Sequence, residues 1–190
     1  MPLVLTPLSD GPAAPRAIDL GGIVPDRVAG LGLADVAALP VVADGRPCRV
    51  GDLFAVTGDT SDAAIDCRGD FARVHFVAAG MQSGVVRVTG HVGRHAGEGM
   101  SGGRLEVGGA AGDWLAAQIA GGQVIVAGDA GHNVAAALPG SPLGSAAAWW
   151  PWRATAAPGR RSRCGRARSP WPADSGPIPA WACVGVRCSP

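Results

Sequence analysis

Two closely spaced histidines are the first candidates for chemistry in this sequence. His91 and His95 are four residues apart, a spacing at which two imidazoles on one helix can bind the same metal ion. The residues around them are rich in glycine, which favours a turn over a helix. We therefore expect both histidines to lie exposed in a loop, and we assign no metal ligand.

A glycine turn follows an apolar run in VIVAGDAGHNVAAAL, residues 124–138. Such a turn can bind a phosphate group where it enters a helix. The same glycine positions recur twice upstream, and no acidic residue that could hold a ribose stands about 20 residues later. A structural turn is the favoured interpretation, and any cofactor-binding residues stay unknown.

No residue pattern typical of nucleophilic catalysis is present. Cys67 lies in IDCRGD without an identifiable base, and the sequence has no Ser/His/Asp arrangement or nucleophile elbow. We assign no catalytic residue to the chain.

An internal repeat organises the middle of the chain. GMQSGVVRVTGHVG, GMSGGRLEVGGAAG and QIAGGQVIVAGDAG begin at residues 80, 99 and 118, so the register is 19 residues. Three glycine columns share this register: Gly84, Gly103 and Gly122; Gly90, Gly109 and Gly128; Gly93, Gly112 and Gly131. A fixed period of this length is the signature of a solenoid.

Each copy contains a short strand between its first two glycine columns. Apolar residues alternate with mixed and mostly polar ones there, as in a strand with one buried face. The predicted inward columns are Val86, Leu105 and Val124, and Val88, Val107 and Val126. Further apolar columns are Met100, Ile119 and Leu138, and Val92, Ala111 and Ala130.

Stacking is the simplest way for such units to bury their apolar side. We predict an all-β fold: a right-handed parallel β-helix of 19-residue glycine-rich coils. Glycine suits the corners, where the backbone needs a positive φ or has no room for a side chain. Strands stacked about 4.8 Å apart place Arg87 beside Glu106 on the outer face.

The chain divides into three predicted parts. Residues 1–63 form a small mixed N-terminal cap, residues 64–144 the glycine-repeat β-helix, and residues 145–190 a disordered tail. Within the cap, apolar spacing from Asp26 to Leu39 indicates a short helix. CRVGDLFAVTG is interpreted as a strand ending at Gly58.

Composition excludes several classes of protein. The net charge is +1, which does not indicate a nucleic-acid surface. No apolar stretch reaches the roughly 18 residues of a membrane span, and no signal peptide is apparent, so we expect a cytoplasmic protein with no membrane partner. The cysteines lack regular spacing and are expected to be reduced thiols: Cys48, Cys67, Cys164, Cys183 and Cys188.

The repeats resemble a known family. Residues 69–144, with the lead-in GDFARVHFVAAGM and the closing GDAG and PGSPLG, resemble the C subunit of formylmethanofuran dehydrogenase and of bacterial formyltransferase/hydrolase complexes. The repeat type also resembles the C-terminal GXGXG domain of glutamate synthase.

The resemblance implies a structural subunit of an enzyme complex in one-carbon metabolism. In that family a formyl group is carried on methanofuran or an analogue, and the chemistry and the metals belong to the other subunits: a formyltransferase, an amidohydrolase-like hydrolase, and in some versions a molybdenum or tungsten subunit. This chain would bind no cofactor itself. A glutamate synthase-type structural domain of an amidotransferase complex is the alternative.

Three polar residues share one repeat position and suggest an edge that a partner could contact. Arg94, Asp113 and His132 are spaced by 19 residues. The edge could meet a partner subunit or the anionic tail of a one-carbon carrier, with Arg94 and Arg87 supplying charge. An ordinary solvated turn is the favoured interpretation.

The composition changes abruptly after residue 144. Residues 145–190 hold five of the six Trp, three of the five Cys and seven Arg, but one acidic residue, Asp174. Read in a shifted frame with suitable GC-rich codons, parts of this stretch can yield GG and V-x-V signatures of further coils. We therefore predict that the tail arises from a reading-frame shift, with genuine divergence as the alternative, and that the third coil ends bare.

Overall fold

The computed structural model describes residues 1–8 and 14–137, together with the backbone of a short C-terminal strand. The strands are β1 (Leu3–Pro7), β2 (Ile18–Asp19), β3 (Pro40–Ala43), β4 (Arg46–Arg49), β5 (Phe54–Thr57), β6 (Ala64–Cys67), β7 (Val74–His75), β8 (Val85–Val88), β9 (Ser101–Val107), β10 (Gly121–Val126) and β11 (Val186–Cys188). Three short helices accompany them: α1 (Pro25–Val28), α2 (Leu33–Ala38) and α3 (Val50–Leu53).

The repeat forms a β-solenoid of about three turns, which confirms the predicted fold class. Strands β6, β8, β9 and β10 are parallel and stack in the order of the sequence. Val86 pairs with Leu105, and Leu105 with Val124, in the predicted register. The first step is longer, because Asp66 of β6 stands beside Arg87 of β8, a separation of 21 residues.

The predicted inward columns form the core. The six column residues of β8, β9 and β10 are 0–2% exposed: Val86, Val88, Leu105, Val107, Val124 and Val126. Met100, Ile119, Val92 and Ala111 are buried as expected, and Ala130 is partly buried. Leu138 lies outside the described residues. Burial of such side chains is worth roughly 1.5–3 kcal/mol each, so the stacked columns are the main stabilising feature of the solenoid.

The glycine columns stand where successive coils touch. At Gly103 the backbone has φ +75° and a Cβ atom would lie 2.8 Å from the carbonyl oxygen of Gly84. At Gly109 φ is not positive, yet a Cβ atom would lie 2.8 Å from the carbonyl carbon of Gly90. Both columns therefore require glycine because the neighbouring coil approaches too closely to leave room for a side chain.

The N-terminal segment joins the solenoid sheet. Strand β1 pairs with β6 in parallel orientation and with β5 in antiparallel orientation. The seven-stranded sheet therefore contains strands from both sides of the boundary predicted at residue 63. A second sheet has the order β4-β3-β2-β7 and joins the N-terminal hairpin to the first coil through β2 and β7. The three-part division of the chain remains a prediction.

The short helix predicted between Asp26 and Leu39 is confirmed as α2. A second short helix, α1, precedes it and is separated from it by residues 29–32. Ala29 is extended (ψ 125°) and Gly30 adopts φ +80°, which turns the chain between the two helices. No helix in the described part of the chain is long and apolar enough to cross a membrane.

The strand predicted for CRVGDLFAVTG is interrupted. Its middle forms α3, whose first turn is held by the Asp52 carboxylate, which accepts a hydrogen bond from the Arg49 N–H at 2.9 Å. Its first two residues, Cys48 and Arg49, end β4, and its last part, β5, is a strand closing at Gly58 as predicted.

The predicted tail lies almost wholly outside the described residues. Of residues 145–190 the structure describes only β11, which pairs in parallel with β10. At these three residues the structure differs from the expectation of a disordered tail and a bare third coil, because the free edge of β10 offers backbone partners. The reading-frame hypothesis stays a prediction.

Candidate functional site: two side-chain ladders along the turns

Each coil turns at a residue that adopts the left-handed backbone conformation without being glycine. The φ values are between 57° and 61° at Phe76, His95, Trp114 and Asn133, which follow one another at the 19-residue spacing. Left-handed non-glycine residues are uncommon and cost free energy, so they persist only where the surrounding structure imposes them.

Hydrogen bonds to the neighbouring coils impose this conformation. The backbone N–H groups of Phe76, His95 and Trp114 donate to carbonyls of the following coil at 2.8–3.0 Å. Two residues after His95, Gly97 is left-handed again, and its N–H donates to Val77 of the preceding coil at 2.8 Å. The alternating conformation thus binds each turn to the coils on both of its sides.

The side chains of these turn residues stack into what we call the aromatic ladder: Phe76, His95 and Trp114. The ring of His95 is 4.7 Å from that of Phe76 and 6.1 Å from that of Trp114, with interplanar angles of 13° and 3°. Offset stacks at such distances are favourable by about 0.5–1.5 kcal/mol beyond burial.

His95 is also hydrogen-bonded within its turn. Its Nδ1 lies 2.6 Å from a carboxylate oxygen of Glu98, and its side chain is only 24% exposed. The expectation of a solvated loop histidine is therefore wrong for His95, because the stack and Glu98 hold the ring. His91 is exposed as expected, and its Nδ1 accepts a hydrogen bond from the Ala110 N–H at 2.9 Å.

A second column, next to the first, forms the polar ladder: His75, Arg94, Asp113 and His132. The His75 Nδ1 accepts a hydrogen bond from the Arg94 N–H at 2.9 Å, and Asp113 accepts one from the His132 N–H at 2.8 Å. The Arg94 guanidinium lies 3.7 Å from the Asp113 carboxylate. The structure thus brings together the three polar residues aligned from the sequence and adds His75.

The polar ladder shifts the pKa of two of its members. Burial, together with the charge of Arg94, holds the pKa of His75 below its ordinary value, so His75 remains a neutral acceptor. Hydrogen bonds from His132 lower the pKa of Asp113, which remains a carboxylate. The ladder is therefore a set of complementary charges and hydrogen bonds.

The outer face of the sheet carries a third set of charges. Arg87 lies 3.4 Å from Asp66 and 3.3 Å from Glu106, so the predicted Arg87–Glu106 contact is confirmed and a second carboxylate joins it. Arg104 also contacts Glu106, at 2.6 Å. Because Arg87 and Arg94 are both paired with carboxylates, neither offers an unpaired charge to an anionic ligand.

Neither Cys67 nor the glycine turn before His132 has the surroundings that catalysis or phosphate binding would need. Burial raises the pKa of the Cys67 thiol to about 12, so this thiol is not a nucleophile at neutral pH. Residues 127–137 contain no helix, so the glycine turn before His132 has no helix start at which to bind a phosphate group. Among the residues described, His, Cys, Asp and Glu form no group of three that could hold a metal ion.

His75 and Phe76 were missed in the sequence because the repeat was aligned only from residue 80. Both stand 19 positions before members of the ladders, Arg94 and His95, so the register extended one coil upstream would have found them. Nothing in the local sequence indicates the left-handed conformation at Phe76 or Trp114.

Two comparisons with known proteins agree with this geometry. The chain is 35% identical over 80 residues to the C subunit of the formyltransferase/hydrolase complex Fhc of Methylorubrum extorquens, an overlap of 42% of this chain and 30% of the relative. It also matches a chain of the crystal structure of the formyltransferase/hydrolase complex FhcABCD from the same organism, solved with methylofuran. That match has a TM-score of 0.67 and 31% identity, over 74% of this chain and 52% of the other. The coils therefore resemble the C subunit of the formyltransferase/hydrolase complex.

The extent of these matches limits what they transfer. This chain spans about a third of the length of the curated relative and about half of the matched crystal chain. No protein-family model matches the sequence. Both matches name the formyltransferase/hydrolase complex, so the glutamate synthase-type alternative is not favoured.

Proposed function

We propose that this chain is a non-catalytic structural subunit of a formyltransferase/hydrolase complex in one-carbon metabolism. The observation that carries the proposal is the stack of 19-residue coils, which matches a chain of the FhcABCD structure at a TM-score of 0.67 and 31% identity. The aromatic ladder, the polar ladder and the charged residues on the outer face of the sheet are structural features. Each ionisable side chain among them has a hydrogen-bond or ion-pair partner.

The proposed partners are the other subunits of the complex. The crystal structure that this chain matches is that of a complex of several subunits, FhcABCD. A formyltransferase and an amidohydrolase-like hydrolase would supply the reaction, and they would bind the methanofuran-type carrier and any metals. The chain itself would bind no cofactor.

We place this assembly in the cytoplasm. Cys48 and Cys67 are both free thiols, which fits a reducing compartment.

Affinity purification of the tagged full chain from its source organism tests the proposal. We expect formyltransferase and hydrolase subunits in the eluate, identified by mass spectrometry, with formyl-transfer activity in the purified complex and none in the chain alone. A matched control is the tagged chain with Leu105→Asp, which places a charge in the core and should abolish recovery of partners.

Two outcomes would contradict the proposal. Recovery of glutamate synthase components in place of the formyltransferase and the hydrolase would support the alternative complex. A monomeric chain with formyl-transfer activity of its own would show that the chain is itself an enzyme.

A further inference from the structure

The last complete coil ends in a strand edge that can accept one more strand. Strands β8 and β9 are each paired on both sides, whereas β10 is followed by no further coil of the repeat in residues 127–137. An unpaired parallel edge presents a row of N–H and C=O groups to any extended segment of suitable register.

The structure pairs β11 with this edge in the register of the repeat. Val124 stands opposite Val186, Ile125 opposite Arg187 and Val126 opposite Cys188. The pairing is parallel, as it is between β9 and β10. The strand therefore occupies the position that the strand of a fourth coil would take.

The sequence of β11 resembles that of the repeat strands. Val-Arg-Cys repeats the Val-Arg-Val order of β8, with Arg187 at the register of the outer column that contains Arg87. Cys188 stands at the register of the column that also contains Cys67 and Val88.

We propose that the C-terminal strand Val186–Cys188 is an intramolecular cap on the coil stack. It covers the edge of β10 by strand addition and so prevents a second copy of the chain from pairing there. Solenoids need such terminal caps because an uncovered coil is a template for edge-to-edge association.

Disulfide trapping tests the register on the outer face of the sheet, where the core is not altered. The background is the full chain with every natural cysteine except Cys67 replaced by serine. In this background, Ile125→Cys and Arg187→Cys would place two cysteines directly opposite each other. Neighbouring strands lie about 4.8 Å apart, within the roughly 4.4–6.8 Å between Cα atoms that a disulfide spans. The matched control is Gln123→Cys with Arg187→Cys, on the same face but two residues out of register.

We expect the in-register pair to form an intramolecular disulfide at least about tenfold faster than the control pair, as read by mass spectrometry after mild oxidation. Equal rates, or no disulfide in either variant, would overturn the proposal. Disulfide-linked dimers of the in-register variant would also overturn it, since they would show that a second copy supplies the strand.

Hydrogen exchange gives a second readout that needs no added cysteine. Arg187→Pro removes a backbone donor from β11 and should increase deuterium uptake in the β10 peptide, with no change in the β8 peptide. Unchanged uptake in β10 would show that the strand does not protect this edge.

Discussion

Replacement of Gly109 by alanine tests whether close contact between coils explains the glycine columns. A Cβ atom at this position would lie 2.8 Å from three backbone atoms of the preceding coil, in Gly90 and His91. An ordinary contact begins at 3.4 Å, so the two coils would have to separate by about 0.6 Å, the difference between these distances. Because φ at Gly109 is not positive, the added cost is steric.

The expected loss of stability follows from that separation. The hydrogen bond from the Gly109 N–H to the Gly90 carbonyl is 2.9 Å long, and a shift of this size would break it. A lost hydrogen bond costs about 0.5–1.5 kcal/mol and overpacking about 1–3 kcal/mol, so we expect the free energy of unfolding to fall by about 2–4 kcal/mol.

Gly99→Ala is the matched control. Gly99 has φ +62° with nothing within 4 Å of a Cβ atom, so alanine there meets backbone strain but no contact. Strain of about 1–2 kcal/mol is partly offset by the reduced entropy of the unfolded chain. Gln118, one coil later, adopts φ 53° without glycine, which shows that a side chain is tolerated at this position of the coil.

Urea unfolding of the full-length variants, followed by far-ultraviolet circular dichroism, measures both losses. The two substitutions change the unfolded chain equally, so the difference between them reports the contact between coils. We expect Gly109→Ala to be less stable than Gly99→Ala by at least about 1 kcal/mol. Equal losses, or a larger loss in Gly99→Ala, would refute the argument.

Three further predictions concern the core, the thiols and the polar ladder. Leu105→Ala should destabilise the protein by about 2–5 kcal/mol in the same assay, because Leu105 is fully buried. Leu33→Ala, at a site 37% exposed, should cost much less, and similar losses in the two variants would contradict the column model. Iodoacetamide at pH 7.5 should label Cys48 but not Cys67 in the folded chain, because the pKa of the buried Cys67 is about 12. Labelled Cys67 in peptide maps would show that this site opens. The pKa of His75 is lowered in the folded state, so the free energy of unfolding should fall as the pH drops below 6.5 and level off below the folded-state pKa. His75→Asn retains a hydrogen-bond acceptor and should lose this part of the pH dependence.

The register of the coils was predictable from the sequence because it depends on spacing alone. The repeat has a 19-residue period, three glycine columns and an alternation of apolar residues. Once the copies stack, these features allow only one pairing of residues between adjacent coils. The buried residues of β8, β9 and β10 and the Arg87–Glu106 contact follow directly from that register.

The candidate site was only partly predictable. The shared column of Arg94, Asp113 and His132 follows from the repeat, and so does the turn that contains it. The stacking of His95 between Phe76 and Trp114 did not follow, because the glycine-rich sequence around His95 indicates an isolated loop residue and the stack depends on the coils on either side.

The sequence by itself determined the period, the inward columns and the order of the strands, since these depend on residue types at regular spacing. Only the tertiary structure decided the left-handed turns at Phe76, His95 and Trp114, the longer 21-residue first step and the entry of β1 into the sheet. Each of these depends on hydrogen bonds offered by a neighbouring coil or strand, and no local preference of the residues concerned encodes them.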